Sequence, residues 1–201
     1  MAAHEQDEPG TATHILDVAE LLVQVRGFNA FSYTDVAREL GISTAAVHYH
    51  FAGKAELGEA LIARYAARFA QDLAGISARF TLAPARIDGF AGLHLAVLLE
   101  RRMCVCGVLA AEYQTLPQSM QPAVIRFFDQ SEAWLRDVLE RGQEEGSLQL
   151  AGSVRQVAQM ITGGIEGAVL VAAPYGDTGR FQAAAASLLA GLVRGKTESS
   201  P

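Results

Sequence analysis

Apolar residues recur at intervals of three and four along most of the chain, and no segment alternates cleanly at a period of two. That pattern predicts an all-α protein. Ile15, Leu16, Ala19, Leu22 and Val23 form one stripe, which predicts a first helix from about Thr13 to Arg26, ended by Gly27. From Phe31 to Leu57 the chain reads FSYTDVARELGISTAAVHYHFAGKAEL, two short helices joined by a tight turn and followed by a loop into a third. Ser32 can cap the first of these, with Asp35 three residues on answering the cap. Val36, Ala37 and Leu40 fall on one side, while Asp35, Arg38 and Glu39 can face water. Gly41 permits the left-handed conformation that closes a helix. Ile42 can plug the core at the turn, and Ser43 caps a short helix through Thr44, Ala45, Ala46, Val47, His48 and Tyr49, stopped near Phe51-Ala52-Gly53.

Lys54 opens a long helix, about 54–80, through Leu57, Leu61, Tyr65, Phe69 and Leu73. Five more helices are predicted beyond it. The first runs from about Pro84 to Arg102, and a short one covers Cys104 to Tyr113. A longer one holds Val124, Phe127, Phe128, Trp134, Leu135 and Val138 and ends at Gly142 to Gly146. The last two are Val154 to about Ala172 and Phe181 to Val193. Residues 1–12 and 196–201 are polar and read as loose tails. No internal repeat is visible.

Two short helices around a Gly turn, the second capped and short, make a helix-turn-helix, whose second helix normally lies in the DNA major groove. Ile15-Leu16 to Ala19, Gly27-Phe28, Val36-Ala37, Gly41-Ile42-Ser43, His50-Phe51, Lys54 and Leu57 resemble the DNA-binding domain of the TetR family of bacterial repressors, in residue type and spacing, over about forty-five residues. The resemblance implies a three-helix DNA-binding head at 13–57 and a helical effector-binding and dimerisation body at 81–195. The long helix would join them, and its tilt would set where the head points.

A chain of 201 residues, half of them hydrophobic, can bury a real core and fits one or two domains. No apolar run approaches the roughly 20 uncharged residues that a membrane span needs. The start, MAAHEQDEPGTATH, lacks the basic and apolar regions of a secretory signal. Two cysteines two residues apart make no disulfide framework. A cytoplasmic protein without membrane partners or cofactor is expected.

Charge speaks against the motif. The net charge is −6, and a nucleic-acid binder usually carries a basic patch. Between Thr11 and Ala60 the bases Arg26, Arg38 and Lys54 face six acids: Asp17, Glu20, Asp35, Glu39, Glu56 and Glu59. Contacts through hydroxyls, imidazoles and helix N-termini would reconcile the two, with a modest salt slope and two heads acting together.

The residues expected to meet double-stranded DNA are Ser32, Tyr33, Ser43, Thr44, Ala45, Ala46, His48, Tyr49, His50 and Lys54. Thr44 offers a hydroxyl and backbone N–H groups to phosphate, and Ala45 and Ala46 can touch a thymine methyl. His50 either contacts phosphate or braces the turn. Tyr33 is a phosphate ligand or simply exposed, and Lys54 fits phosphate better than structure. Many TetR-family members have Tyr at the position of His48 and a hydroxyl residue at that of Ala46, so the operator sequence is not implied.

For the effector, the candidates are Phe90, His94, Cys104, Cys106, Glu112, Tyr113, Phe127 and Trp134, as core or as walls of a cavity for a small apolar or electrophilic ligand. Cys104 and Cys106 have two readings. They are small buried hydrophobes, or Arg101 and Arg102 lower a thiol pKa and one cysteine senses an oxidant or electrophile. A cysteine before a Leu-Ala-x-Glu run is similar to electrophile-responsive TetR-family members. No zinc site is expected, since no CxxC partner or His pair accompanies the cysteines.

Glu112 is either solvated or aimed at a ligand. An enzyme using either cysteine as nucleophile lacks a base placed by sequence, a phosphate-cradling loop and a metal set. A third reading is an interaction module that has lost DNA binding. The last two helices are rich in small residues, and glycines inside a helix suggest close backbone approach. Gly163, Gly164, Gly167, Ala168, Ala186 and Leu189 are the expected homodimer interface, as the resemblance implies, the alternative being that these two helices pack only inside one subunit.

Overall fold

The structure, a computed structural model, describes residues 10–192. Among them are nine α-helices and no strand: α1 (Gly10–Arg26), α2 (Tyr33–Leu40), α3 (Thr44–His50), α4 (Lys54–Arg79), α5 (Ala83–Leu99), α6 (Val105–Ala111), α7 (Gln121–Glu144), α8 (Val154–Ala172) and α9 (Thr178–Ala190). The predicted C-terminal tail lies outside the described residues. Of the predicted N-terminal tail, residues 1–9 also lie outside the described residues, and residues 10–12 are helical, within α1. The chain divides into two compact units, residues up to 65 with 105–124, and 66–104 with 125 onward. The stretch 105–124, grouped by sequence with the larger body, packs with the first unit.

In that first unit, Ile15, Ala19, Leu22 and Val23 of α1 meet Val36 and Ala37 of α2 and Val47 of α3 in a core that also buries Leu57, Leu61 and Ile62 of α4. Arg64 of α4 reaches across to α1, 2.7 Å from Asp17 and 3.1 Å from Glu20. Met120 fills the space beside Gly58, where an added Cβ would lie 2.4 Å from its terminal methyl.

The second unit is built on a ring cluster. Phe69 sits 6.1 Å from Phe90, 5.9 Å from His94 and 5.0 Å from Phe127, centroid to centroid, and Phe90 stacks on Trp134 at 6.1 Å. Such contacts contribute about 0.5–1.5 kcal/mol each beyond area burial. Trp134 donates its indole N–H to Ser77 Oγ at 2.9 Å. Helices α8 and α9 pack on each other and on α5. Ser153 and Gln156 form a capping box at the start of α8, and Asp177 caps α9. Val154–Tyr175, 22 residues, are enough by length and composition to cross a membrane. Their apolar content has another outlet, because Val157, Ala158, Ile161, Ile165 and Val169 are buried against their own unit.

Candidate functional site

All ten residues of the predicted DNA-binding set fall in the first unit. Ser32 Oγ accepts the Asp35 N–H at 3.4 Å, and Asp35 Oδ2 accepts the Ser32 N–H at 2.8 Å, a complete capping box. Hydrogen bonds from Ser32, then Arg38, hold the Asp35 carboxyl at about 2. Gly41 closes α2 at φ 67, the left-handed conformation its position requires. Ser43 Oγ accepts the Ala46 N–H at 3.1 Å and opens α3.

Helix α3 buries only Val47. Ala45, His48 and Tyr49 are exposed, and Thr44, Ala46 and His50 are half-buried. Tyr49 stands 74% exposed, so a large aromatic side chain is left in water on a helix held at both ends. His48 Nδ1 lies 3.4 Å from the Ala52 carbonyl, and its ring meets Tyr33 edge-on at 4.6 Å.

Two expected phosphate ligands are instead used inside the unit. Tyr33 is buried and donates its hydroxyl to the Phe51 carbonyl at 3.0 Å. Burial first, and the Glu56 carboxylate second, push its pKa up to about 12. Lys54 donates Nζ to the carbonyls of Phe28 and Phe31 and lies over both rings, 4.5 and 4.2 Å from their centroids. Burial pulls its pKa down, with Glu112 and Asp35 acting the other way. The physical reason is the α1–α2 loop, whose carbonyls have no helical partner and need donors.

Glu112, at the end of α6, holds the same loop from the other side. Its Oε2 accepts the N–H of Phe28 at 2.8 Å and of Asn29 at 3.4 Å. Gly27 has φ 91, and a Cβ there would lie 2.4 Å from Glu112 Oε1. Glu112, half-buried, therefore spends its carboxylate on the α1–α2 loop. Asn29 Nδ2 donates to Thr115 Oγ1 at 2.7 Å nearby. The acids that outnumber bases in the head are partly consumed in this way: Asp17 and Glu20 by Arg64, Asp35 by its cap and Arg38, Glu56 by the Ala52 N–H at 2.9 Å.

A model of bacterial regulatory proteins of the tetR family matches residues 15–61, and one of the tetracyclin repressor-like C-terminal domain matches residues 90–188. Among solved structures, a TetR-family transcriptional regulator from Agrobacterium tumefaciens is 30% identical, over 91% of this chain and 97% of that one, with a TM-score of 0.88. A TetR transcriptional regulator from Legionella pneumophila is 33% identical, over 93% and 100%, with a TM-score of 0.83. The chain belongs to the TetR family of transcriptional regulators. The reduced form of E. coli NemR, 23% identical over 93% and 100% with a TM-score of 0.80, shares the fold. No curated protein sequence matches.

The chain is thus a TetR-family DNA-binding regulator and not an enzyme, with a ligand-binding C-terminal domain. The eight effector candidates divide between the two units. Phe90, His94, Phe127 and Trp134 share the ring cluster of the second unit, and Cys104 lies with them, whereas Cys106, Glu112 and Tyr113 belong to the first unit. Cys106 is fully buried and Cys104 1% exposed, and neither forms a disulfide. Arg102, expected to act on a thiol, is paired with Glu100. Tyr113 sits in a 3-10 turn, its carbonyl accepting from Gln121 Nε2 at 3.2 Å.

A cleft of about 630 Å³ opens elsewhere in the second unit, between the end of α5 and the α8–α9 turn, and none of the eight lines it. Sequence spacing gave no signal for a different grouping. His94 of α5, Cys104 and Glu166 of α8 bring their ligand atoms within 4.8 Å of one another. Burial opposes charge on His94, but the Glu166 carboxylate and the Phe90 carbonyl outweigh it and raise its pKa.

Of the dimer candidates, Gly163, Gly164, Gly167 and Ala186 are exposed and Ala168 is half-buried. Leu189 is 8% exposed and belongs to the core of its own unit, which corrects its assignment. Gly163 and Gly167 have open space where a Cβ would be, while a Cβ on Gly164 would meet Leu188 at 2.8 Å.

Proposed function

We propose that the chain is a homodimeric repressor that binds a palindromic operator through two copies of α3 and is released when its second unit takes up a small effector. The observation that carries the DNA-binding half is the outer face of α3: Ala45, His48 and Tyr49 exposed on a helix capped by Ser43 and closed at Phe51. One such helix makes few contacts, so a two-fold pair is the economical way to read a site. Support for the dimer is the outward side of α8, where Met160, Leu170 and Val171 are 45%, 57% and 58% exposed beside Gly163 and Gly167. An apolar stripe with glycines suits a second copy of the same helix, packed backbone to backbone.

Helix α4 contributes residues to both units, so an effector that favours one tilt of it would move the heads apart. The effector sought first is small and either apolar or electrophilic. The near-complete burial of both thiols argues against direct attack by a bulky electrophile. A cytoplasmic location follows from the DNA target.

The test is a footprint on the DNA flanking the gene, with wild-type protein and with a variant carrying Thr44→Ala and Tyr49→Ala. A two-fold protected site lost in the variant is expected. Equal behaviour of the two proteins in cells and on DNA would favour an interaction module instead.

A further inference from the structure

We propose that His94, Cys104 and Glu166 form a binding site for a zinc-type divalent cation, an effector class beyond the apolar or electrophilic ligand of the proposed function, and the site rests on that reading only for its effect on DNA. The argument begins with the imidazole. His94 Nδ1 lies 3.0 Å from the Phe90 carbonyl, which can only accept, so Nδ1 carries a proton. In the neutral ring Nε2 is then an acceptor, and it faces another, Glu166 Oε1, at 3.5 Å, with the Cys104 sulfur within 4.8 Å of both.

Three lone-pair donors converge, and two of the residues are nearly sealed from water, His94 at 3% and Cys104 at 1% exposure. Something positive belongs between them. Four residues before Glu166, on the same side of α8, Thr162 Oγ1 is also buried without a hydrogen-bond partner among the described residues.

The donor set selects the ion. Nitrogen, sulfur and a carboxylate oxygen are the ligands of zinc, whereas magnesium and calcium demand oxygen alone. Bonds of about 2.0–2.3 Å put tetrahedral ligand atoms about 3.3–3.8 Å apart, which the 3.5 Å between Nε2 and Oε1 already meets. Thiolate and carboxylate supply two negative charges, so a divalent ion leaves the buried site neutral. On binding, the Cys104 S–H bond breaks, a sulfur–metal bond forms and the proton leaves to solvent. The Nδ1–H to carbonyl bond is the outer support that fixes a ligating histidine. Glu166, with a side chain 17% exposed, forms the rim by which an ion enters. The three ligands leave a fourth position open.

The experiment is a titration of metal-free full-length protein with Co²⁺, read by absorption. One equivalent per chain is expected to produce a thiolate-to-metal charge-transfer band and the intense visible bands of tetrahedral cobalt, and Zn²⁺ should abolish both. The charge-transfer band should vanish in Cys104→Ser and persist in Cys106→Ser. Glu166→Gln, which keeps shape at the rim, should weaken binding about 10-fold or more. A wild-type protein that is folded by circular dichroism yet shows no thiolate band overturns the proposal and leaves His94 holding a proton only. A band that survives Cys104→Ser overturns the ligand assignment.

Operator retardation is measured in parallel, with and without Zn²⁺. A change in affinity of about 10-fold or more, absent in Cys104→Ser, is expected of an effector. Cobalt bands with unchanged DNA affinity overturn the effector role. No retardation in either state defeats the repressor reading, and the cobalt spectrum still decides the site.

Discussion

At the scale of single residues, the outcome that matters most is the inward turn of Lys54. A lysine at the start of a helix beside a helix-turn-helix invites a phosphate contact, yet its ammonium group serves the carbonyls of Phe28 and Phe31. Lys54→Met leaves two carbonyls without their donor and should lower stability by about 1–3 kcal/mol, seen as an earlier urea midpoint. The slope of log affinity for DNA against log salt should stay unchanged. A phosphate ligand would instead flatten it by about one, so the slope decides the role.

Tyr33→Phe removes the bond to the Phe51 carbonyl and should cost about 1 kcal/mol. The pH dependence follows from a phenol whose pKa rises from 10.0 to about 12 on folding. Its contribution is fully present below pH 10, falls as the pH rises, and is gone above about 12, because the unfolded chain releases the proton first. Phenolate absorbance of wild type against Tyr33→Phe should show one tyrosine ionising late. Neither inward role was legible in the sequence, because a side chain's partner 18 or 26 residues away depends on where a loop places its carbonyls.

Among the elements, the helix-turn-helix was readable because its determinants are local. The Ser32–Asp35 box, Gly41 in the left-handed region and the Ser43 cap each act within four residues. What α6 does was not readable. Its Glu112 ties the α1–α2 loop by accepting two backbone N–H groups, 84 and 83 residues away in sequence. Glu112→Ala should lower stability of the full chain by about 1–3 kcal/mol by orphaning those donors, read by thermal unfolding. Gly27→Ala should be worse, since its Cβ would occupy the space of the Glu112 carboxylate at a positive φ. Equal melting of both variants and wild type would remove α6 from the account of how the loop is held.

At the scale of the whole molecule, the proposed dimer makes a prediction that opposes local and global effects. Gly167 has open space around its missing Cβ, so Gly167→Arg fits within one chain and removes a glycine from a helix interior, a local gain of up to about 1 kcal/mol. The same arginine on the outward side of α8 should block close approach of a second copy. Analytical ultracentrifugation should then show a helical monomer that no longer retards the operator. A variant that remains a dimer would move the interface elsewhere.

The sequence by itself determined what short-range physics controls. Periodicity, caps and a turn glycine specify the all-α class, the order of helices and the helix-turn-helix, because hydrogen bonds and apolar stripes repeat within one or two turns of the chain. Only the tertiary structure decided which polar groups meet. It turned Tyr33 and Lys54 inward and drew Glu112 to the α1–α2 loop. It also gathered the ligand atoms of His94, Cys104 and Glu166 within 4.8 Å of one another, the first and last of these residues 72 positions apart. Desolvation is the reason. A buried donor or acceptor takes whatever partner the packing of distant helices brings within reach, and no local pattern records which one that is.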